Sequence, residues 1–128
     1  MAIHAEKRIA VEVRVPDDAY VRTQREDLDE MLGNLVENAC KWAKLRVEIR
    51  SSQVDTQTII TVDDDGPGLA AELRETVLQR GVRADEAAPG SGLGLAIVAD
   101  LVEVYGGSIA LESSPLGGLR ATLRLPSA

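Results

Sequence analysis

The sequence predicts an α+β (α/β) two-layer sandwich, a mixed sheet of about five strands covered on one face by about three helices. Three observations lead there. Short runs alternate apolar and polar residues, as in Leu119, Ala121, Leu123 and Leu125 against Arg120, Thr122 and Arg124. Two longer stretches repeat apolar residues at helical spacing. The two kinds of segment interleave in the order β-α-β-β-α-loop-α-β-β, so one-sided strands find their cover in apolar-striped helices.

Each element has its own justification. Residues 8–15, "RIAVEVRV", set Ile9, Val11, Val13 and Val15 on one face of a strand that Pro16-Asp17-Asp18 ends. From about Glu26 to Lys44 the period becomes helical through Leu28, Met31, Leu32, Leu35, Val36, Ala39 and Trp42. Residues 45–51 and 57–62 return to strand alternation, joined by a polar hairpin connection around Gln53 and Asp55. Ala70 to Leu78 reads as a short helix. Residues 79–92, "QRGVRADEAAPGSG", hold too few apolar residues to pack and read as a mobile loop. "GLGLAIVADLVEVY" (92–105) is an apolar helix stopped by Gly106-Gly107. Two strands close the chain near 108–113 and 118–125. His4, the only histidine, falls in a polar leader before the first strand and reads as incidental.

Bulk properties narrow the function. A length of 128 residues suits a single domain, 1–128. Hydrophobic residues make up 45% without a long apolar run, which fits a globular chain and no membrane contact. No charged-then-apolar leader opens the chain, so secretion is not expected. Cys40 is the single cysteine, cannot form an internal disulfide and sits among apolar neighbours, which fits packing in a reducing compartment. The net charge is −7, from 21 acidic and 14 basic residues, the opposite of a nucleic-acid binder's balance. A small anionic ligand stays possible, because a cation and a few basic side chains reverse a local field.

Three stretches carry candidate chemistry. In "GNLVENACKWAK" (33–44), Asn34 and Asn38 lie four apart and Lys41 three further on, all on one helix face. Asn is a poor mid-helix residue; an amide oxygen suits Mg²⁺ and an ammonium suits a phosphate, although a solvent-facing polar stripe explains the pattern equally well. In "VDDDGPGL" (62–69), Gly66 and Gly68 let the backbone approach a flat ligand. Asp65, last of the acidic run, reads as the carboxylate that points into a pocket and accepts adenine's exocyclic amine; Asp63 and Asp64 read as solvated rim charges. In "GSGLGLAIV" (90–98), Gly90, Gly92 and Gly94 run into a helix start, a seat for phosphates or simply a glycine-rich helix entry.

Asn-x-x-x-Asn-x-x-Lys, Asp-x-Gly-x-Gly, a polar loop and Gly-x-Gly-x-Gly follow in that order within about 60 residues. On these boxes the chain resembles the ATP-binding catalytic domain of sensor histidine kinases, in the superfamily shared with DNA gyrase, MutL and the large heat-shock ATPase chaperones. "GNLVENACKWAK", "DDDGPGL", "RGVRADEAAPGSGLGLAIV" and "GGSIALESSPLGGLRATL" look most like the PhoQ-like branch.

The resemblance implies a Bergerat-type fold with an ATP lid at about 79–92. It implies Mg²⁺ on Asn38, Asn34 beside the phosphates or their water, and Lys41 on a phosphate. Trp42, where such kinases often have Tyr, would flank adenine, Asp65 would accept its amine, and Gly66 and Gly68 would line the base. Arg80 and Arg83 would reach the phosphates from the lid, and Gly90, Gly92, Leu93, Gly94 and Leu95 would form their seat. Two departures stand out: the chain has no Phe, so Val77 and Leu78 stand where the lid usually begins with one, and Ala88 replaces an Arg before Pro89-Gly90.

The implied reaction moves the γ-phosphoryl of ATP to a histidine on a dimerisation domain outside these residues, with a response regulator downstream. Its parent would be an inner-membrane receptor and this its cytoplasmic domain. An anti-sigma-factor-type serine kinase, or a nucleotide-binding regulatory module of the same superfamily, is the alternative.

Overall fold

Alternation and helical period mature into a six-stranded mixed sheet with helices on one face. The computed structural model describes residues 2–4, 9–14, 23–74 and 93–127. The elements are β1 (Ala2–His4), β2 (Ile9–Arg14), α1 (Arg25–Trp42), β3 (Arg46–Val54), β4 (Gln57–Asp64), α2 (Ala71–Arg74), α3 (Leu93–Val104), β5 (Ser108–Ser113) and β6 (Leu119–Pro126). The sheet order is β1-β2-β3-β4-β6-β5. Only β2 and β3 run parallel, since α1 is the crossover between them; the other pairs are antiparallel.

One strand was not foreseen. The leader containing His4 forms β1, with His4 opposite Ile9 in an antiparallel pair. Among the described residues the rest of the expected order matches, with shifted ends. The β3–β4 connection tightens to a turn at Asp55-Thr56, where Asp55 takes φ 57°. The helix expected over 70–78 is described only as α2, and its remainder lies outside the described residues.

The helices meet the sheet through an apolar layer. Met31 and Leu35 of α1, Val98 and Val102 of α3, and Val62 and Leu123 of the sheet are almost fully buried in it. Cys40 is buried there as well, in keeping with a packing role. The helices α1 and α3 also pack on each other, and the Tyr105 hydroxyl ties the end of α3 to Asp27 in the first turn of α1.

Alternation decides what each sheet face carries. On β4, Ile60, Val62 and Asp64 share the helix-facing side, so Asp63 faces away. A row of partnered residues crosses the sheet there: Glu12, Glu48, Asp63, Arg120 and Glu112. Glu48 and Asp63, like charges directly opposite, would repel. Arg46 and Arg50 pair with Glu48, and Arg120 pairs with Asp63.

Candidate functional site

The acidic turn at the end of β4 divides three adjacent carboxylates among three surroundings. Asp63 points away from the helices and is 1% exposed. Its carboxylate accepts the Ser114 hydroxyl at 2.8 Å and the Arg120 Nε and Nη2 at 2.8 and 3.2 Å.

Asp64 points to the helix side and is 2% exposed. Its Oδ1 accepts the backbone N–H of Gly66 at 2.9 Å and of Leu119 at 3.2 Å. Both bonds use Oδ1, so Oδ2 is the oxygen left for a ligand among the described residues. Burial pushes the Asp64 carboxyl above the usual carboxylate range; the two N–H donors pull it down without reversing the rise, and the charges of Asp65 and Asp63 add to it.

Asp65 is partly exposed, and it is already occupied. Its oxygens accept the N–H groups of Lys44 (2.8 Å), Leu45 (3.2 Å) and Arg46 (3.2 Å), closing the connection from α1 into β3. Burial opposes its ionisation, but the donors from Leu45, Lys44 and Arg46 outweigh burial and hold its carboxyl below the usual range.

This corrects two expectations. Asp65 is not the carboxylate presented to a ligand, and Asp63 and Asp64 are not solvated rim charges. Asp64 is the buried carboxylate with an oxygen to spare. Two signals in the sequence could have found it: Asp64 continues the core-facing alternation of Ile60 and Val62, and Asp-x-Gly-x-Gly counted back from Gly66 and Gly68 begins at Asp64.

Glycines bring the surrounding backbone close. A Cβ on Gly66 would stand 2.3 Å from the Trp42 carbonyl oxygen, so the turn lies directly on the C-terminal end of α1. A Cβ on Gly118 would stand 2.1 Å from Asp64 Oδ1, and the Gly118 N–H donates to the Asp64 carbonyl at 3.1 Å. Gly68 in turn lies against the Gly118 carbonyl. The β5–β6 turn thus backs onto Asp64, a contribution of Ser114, Gly118 and Leu119 that the sequence reading missed; the Gly117-Gly118 pair was its only signal.

The same contact joins the first two boxes. Lys41 and Trp42 end α1 beside Gly66, and the Lys41 ammonium lies 5.0 Å from the Trp42 ring centroid. Trp42 is 50% exposed, so a face of the indole is available to a flat ligand. Asn34 and Asn38 are partly buried, on the border of the α1 face that buries Met31, Leu35 and Ala39.

The third box is described only from Leu93. Leu93 and Gly94 open α3, and Leu95 is buried in the core, so its side chain anchors the helix rather than lining a phosphate seat. Gly90, Gly92, Arg80, Arg83 and the whole 79–92 lid, with Val77, Leu78 and Ala88, lie outside the described residues.

The residues suit a purine nucleotide. A buried carboxylate with one oxygen saturated and one left over is able to accept an exocyclic amine, and the glycines at 66 and 118 let the Trp42 carbonyl and Asp64 itself pack where side chains would otherwise stand. No group of three or more His, Cys, Asp or Glu able to hold a metal is found among the described residues, and the oxygen ligand expected from the sequence is Asn38. One amide fits a cation held chiefly by phosphate oxygens and water.

Residues 23–128 match the family model described as histidine kinase-, DNA gyrase B- and HSP90-like ATPase. The chain is 53% identical over 102 residues to the sensor protein kinase CarS of Pseudomonas aeruginosa, over 80% of this chain and 23% of that one. It is 42% identical over 105 residues to the sensor protein PhoQ of Escherichia coli, over 82% of this chain and 21% of that one. It therefore spans about a fifth of these relatives' length. Among solved structures, full-length ShkA in complex with AMPPNP superposes with a TM-score of 0.82 at 28% identity, over 97% of this chain and 27% of that one.

Proposed function

We propose that this chain, which belongs to the histidine kinase-, DNA gyrase B- and HSP90-like ATPase family, binds Mg-ATP for transfer of its γ-phosphoryl group to a histidine on a partner helix. The observation that carries this reading is the buried Asp64, with Oδ1 held by Gly66 and Leu119 and with Gly66, Gly68 and Gly118 around it. Similarity to CarS and PhoQ, both named sensor kinases, supports the histidine-kinase branch.

Each residue has a distinct task. Asp64 Oδ2 accepts the adenine N6 amine and selects the base. The exposed indole of Trp42 covers the base edge, and Gly66 and Gly68 line it. Lys41 moves from the Trp42 ring to a phosphate, where its ammonium offsets charge. Asn38 offers its amide oxygen to Mg²⁺, which when bound neutralises charge on the phosphates, and Asn34 orders phosphate or water beside it. Arg80 and Arg83 add positive charge for the phosphates, and the glycines at 90, 92 and 94 offer backbone N–H groups to them. No residue of this chain forms a covalent intermediate; its part is positioning and charge neutralisation.

The acceptor histidine belongs to a dimerisation domain of the parent kinase, and a response regulator takes the phosphoryl group from it. The parent spans the inner membrane, with this domain in the cytoplasm; among the described residues no helix is long and apolar enough to cross a membrane. The test supplies the parent's histidine helix hairpin separately, with γ-labelled ATP and Mg²⁺. Label on the hairpin histidine is the expected result. Label on a serine of another protein, or none despite ATP binding, contradicts it.

A further inference from the structure

Arg120 lies on the sheet face away from the helices, its side chain 29% exposed. Its guanidinium clamps Asp63 with Nε and Nη2, and the Asp63 hydrogen bond keeps it firmly protonated. Ser114 completes the group: its hydroxyl donates to Asp63 and accepts the Leu116 N–H at 3.1 Å. The clamp grips both ends of the β5–β6 turn, which is closed internally by the Ser114 N–H to the Gly118 carbonyl (2.8 Å) and the Gly117 N–H to the Ser114 carbonyl (3.0 Å).

That turn presents Gly118 to the Asp64 carbonyl and Leu119 to Asp64 Oδ1, through the sheet on its other face. Arg120 follows Leu119 directly, so the residue that donates to Asp64 is flanked by the residue that grips Asp63. We infer that Asp63, Arg120 and Ser114 form a positioning clamp, which fixes Asp64 for the nucleotide from the opposite face of the sheet and makes Arg120 a determinant of adenine-nucleotide affinity that never touches the ligand. Strand alternation makes this necessary. Asp63 and Asp64 are consecutive and face opposite ways, so a tilt of β6 that frees one moves the donor of the other. The inference rests on the nucleotide reading of Asp64.

A double-mutant cycle read by ADP titration calorimetry tests it, with thermal melting alongside. In the parent background, Arg120→Met lowers ADP affinity about five- to tenfold, and Arg120→Lys, which keeps charge without the fork, recovers part of the loss. In an Asp64→Asn background, Arg120→Met costs less than about twofold further, because the two residues act through one bond. Arg120→Met leaves Asp63 charged and buried, so Ser114→Ala serves as the milder variant, with a loss of about two- to threefold that likewise vanishes beside Asp64→Asn. Unchanged ADP affinity in both the Arg120→Met and Ser114→Ala variants overturns the clamp, as do equal losses in the two backgrounds. If Asp64→Asn itself binds ADP like the parent, the reading of Asp64 fails, and the clamp falls with it.

Discussion

At the scale of residues, three consecutive aspartates differ because a strand and the turn after it send successive side chains different ways. Asp65 serves the fold, and its pH dependence follows from its lowered carboxyl. A carboxyl held lower in the folded chain than in the unfolded one contributes stability above its unfolded value, and that contribution is lost as pH falls through the folded value. Asp65→Ala therefore lowers the melting temperature at neutral pH, by about 1–2 kcal/mol of stability from three lost backbone bonds, and the gap to the parent closes in acid. Chemical denaturation from neutral to acidic pH checks both parts. Asp64 has the reverse sign. Its raised carboxyl costs stability when ionised, and acid relieves that cost as pH drops through the raised value. Nucleotide affinity moves oppositely, since the ionised carboxylate accepts an amine more strongly than the protonated group, whose O–H is itself a donor. ADP affinity of the parent falls as pH drops into the Asp64 range, above that of an ordinary aspartate, while Asp64→Asn shows no such fall.

At the scale of elements, two turns do different jobs through glycine. Gly106 takes φ 74° in a helix stop where its N–H reaches Glu103 and the Gly107 N–H reaches Val102. A Cβ there would meet open space, so Gly106→Ala carries only the strain of the left-handed conformation, about 1 kcal/mol, and leaves ADP affinity unchanged. Gly118 has no such latitude. Gly118→Ala drives a methyl into Asp64 Oδ1 and costs about 1–3 kcal/mol, together with a drop in ADP affinity of tenfold or more. Melts and titrations of the two variants side by side separate them.

The element order was legible because periodicity is local: α1, α3 and the long strands each carry their own pattern. Much of the site was not, because its decisive contacts are distant in sequence. Asp64 meets Leu119, 55 residues away, and Gly66 rests on Trp42. Strand β1 escaped notice because three residues show too little alternation to distinguish a strand from a leader.

At the scale of the whole molecule, the sheet separates two kinds of chemistry. Its helix face holds the apolar core and, at the end of β4, the buried carboxylate of Asp64. Its other face holds the ladder of acids and arginines. In the proposed reading the cation meets this chain through Asn38, at the edge of α1. Asn38→Ala thus leaves the melting temperature within about 1 kcal/mol of the parent and abolishes the enhancement of ATP affinity by Mg²⁺. Titration with and without Mg²⁺ checks this, and equal enhancement in variant and parent would remove Asn38 from the ligand set.

The most direct measurement compares ADP and GDP binding to the parent and to Asp64→Asn by calorimetry, with both proteins folded at the same pH. A carboxylate that accepts the adenine amine and repels the guanine carbonyl predicts that the parent prefers ADP, and that Asp64→Asn loses about 10- to 150-fold in ADP affinity and most of the preference, with no fall in melting temperature. Equal ADP affinity in the two proteins, with the preference for adenine intact, would contradict it.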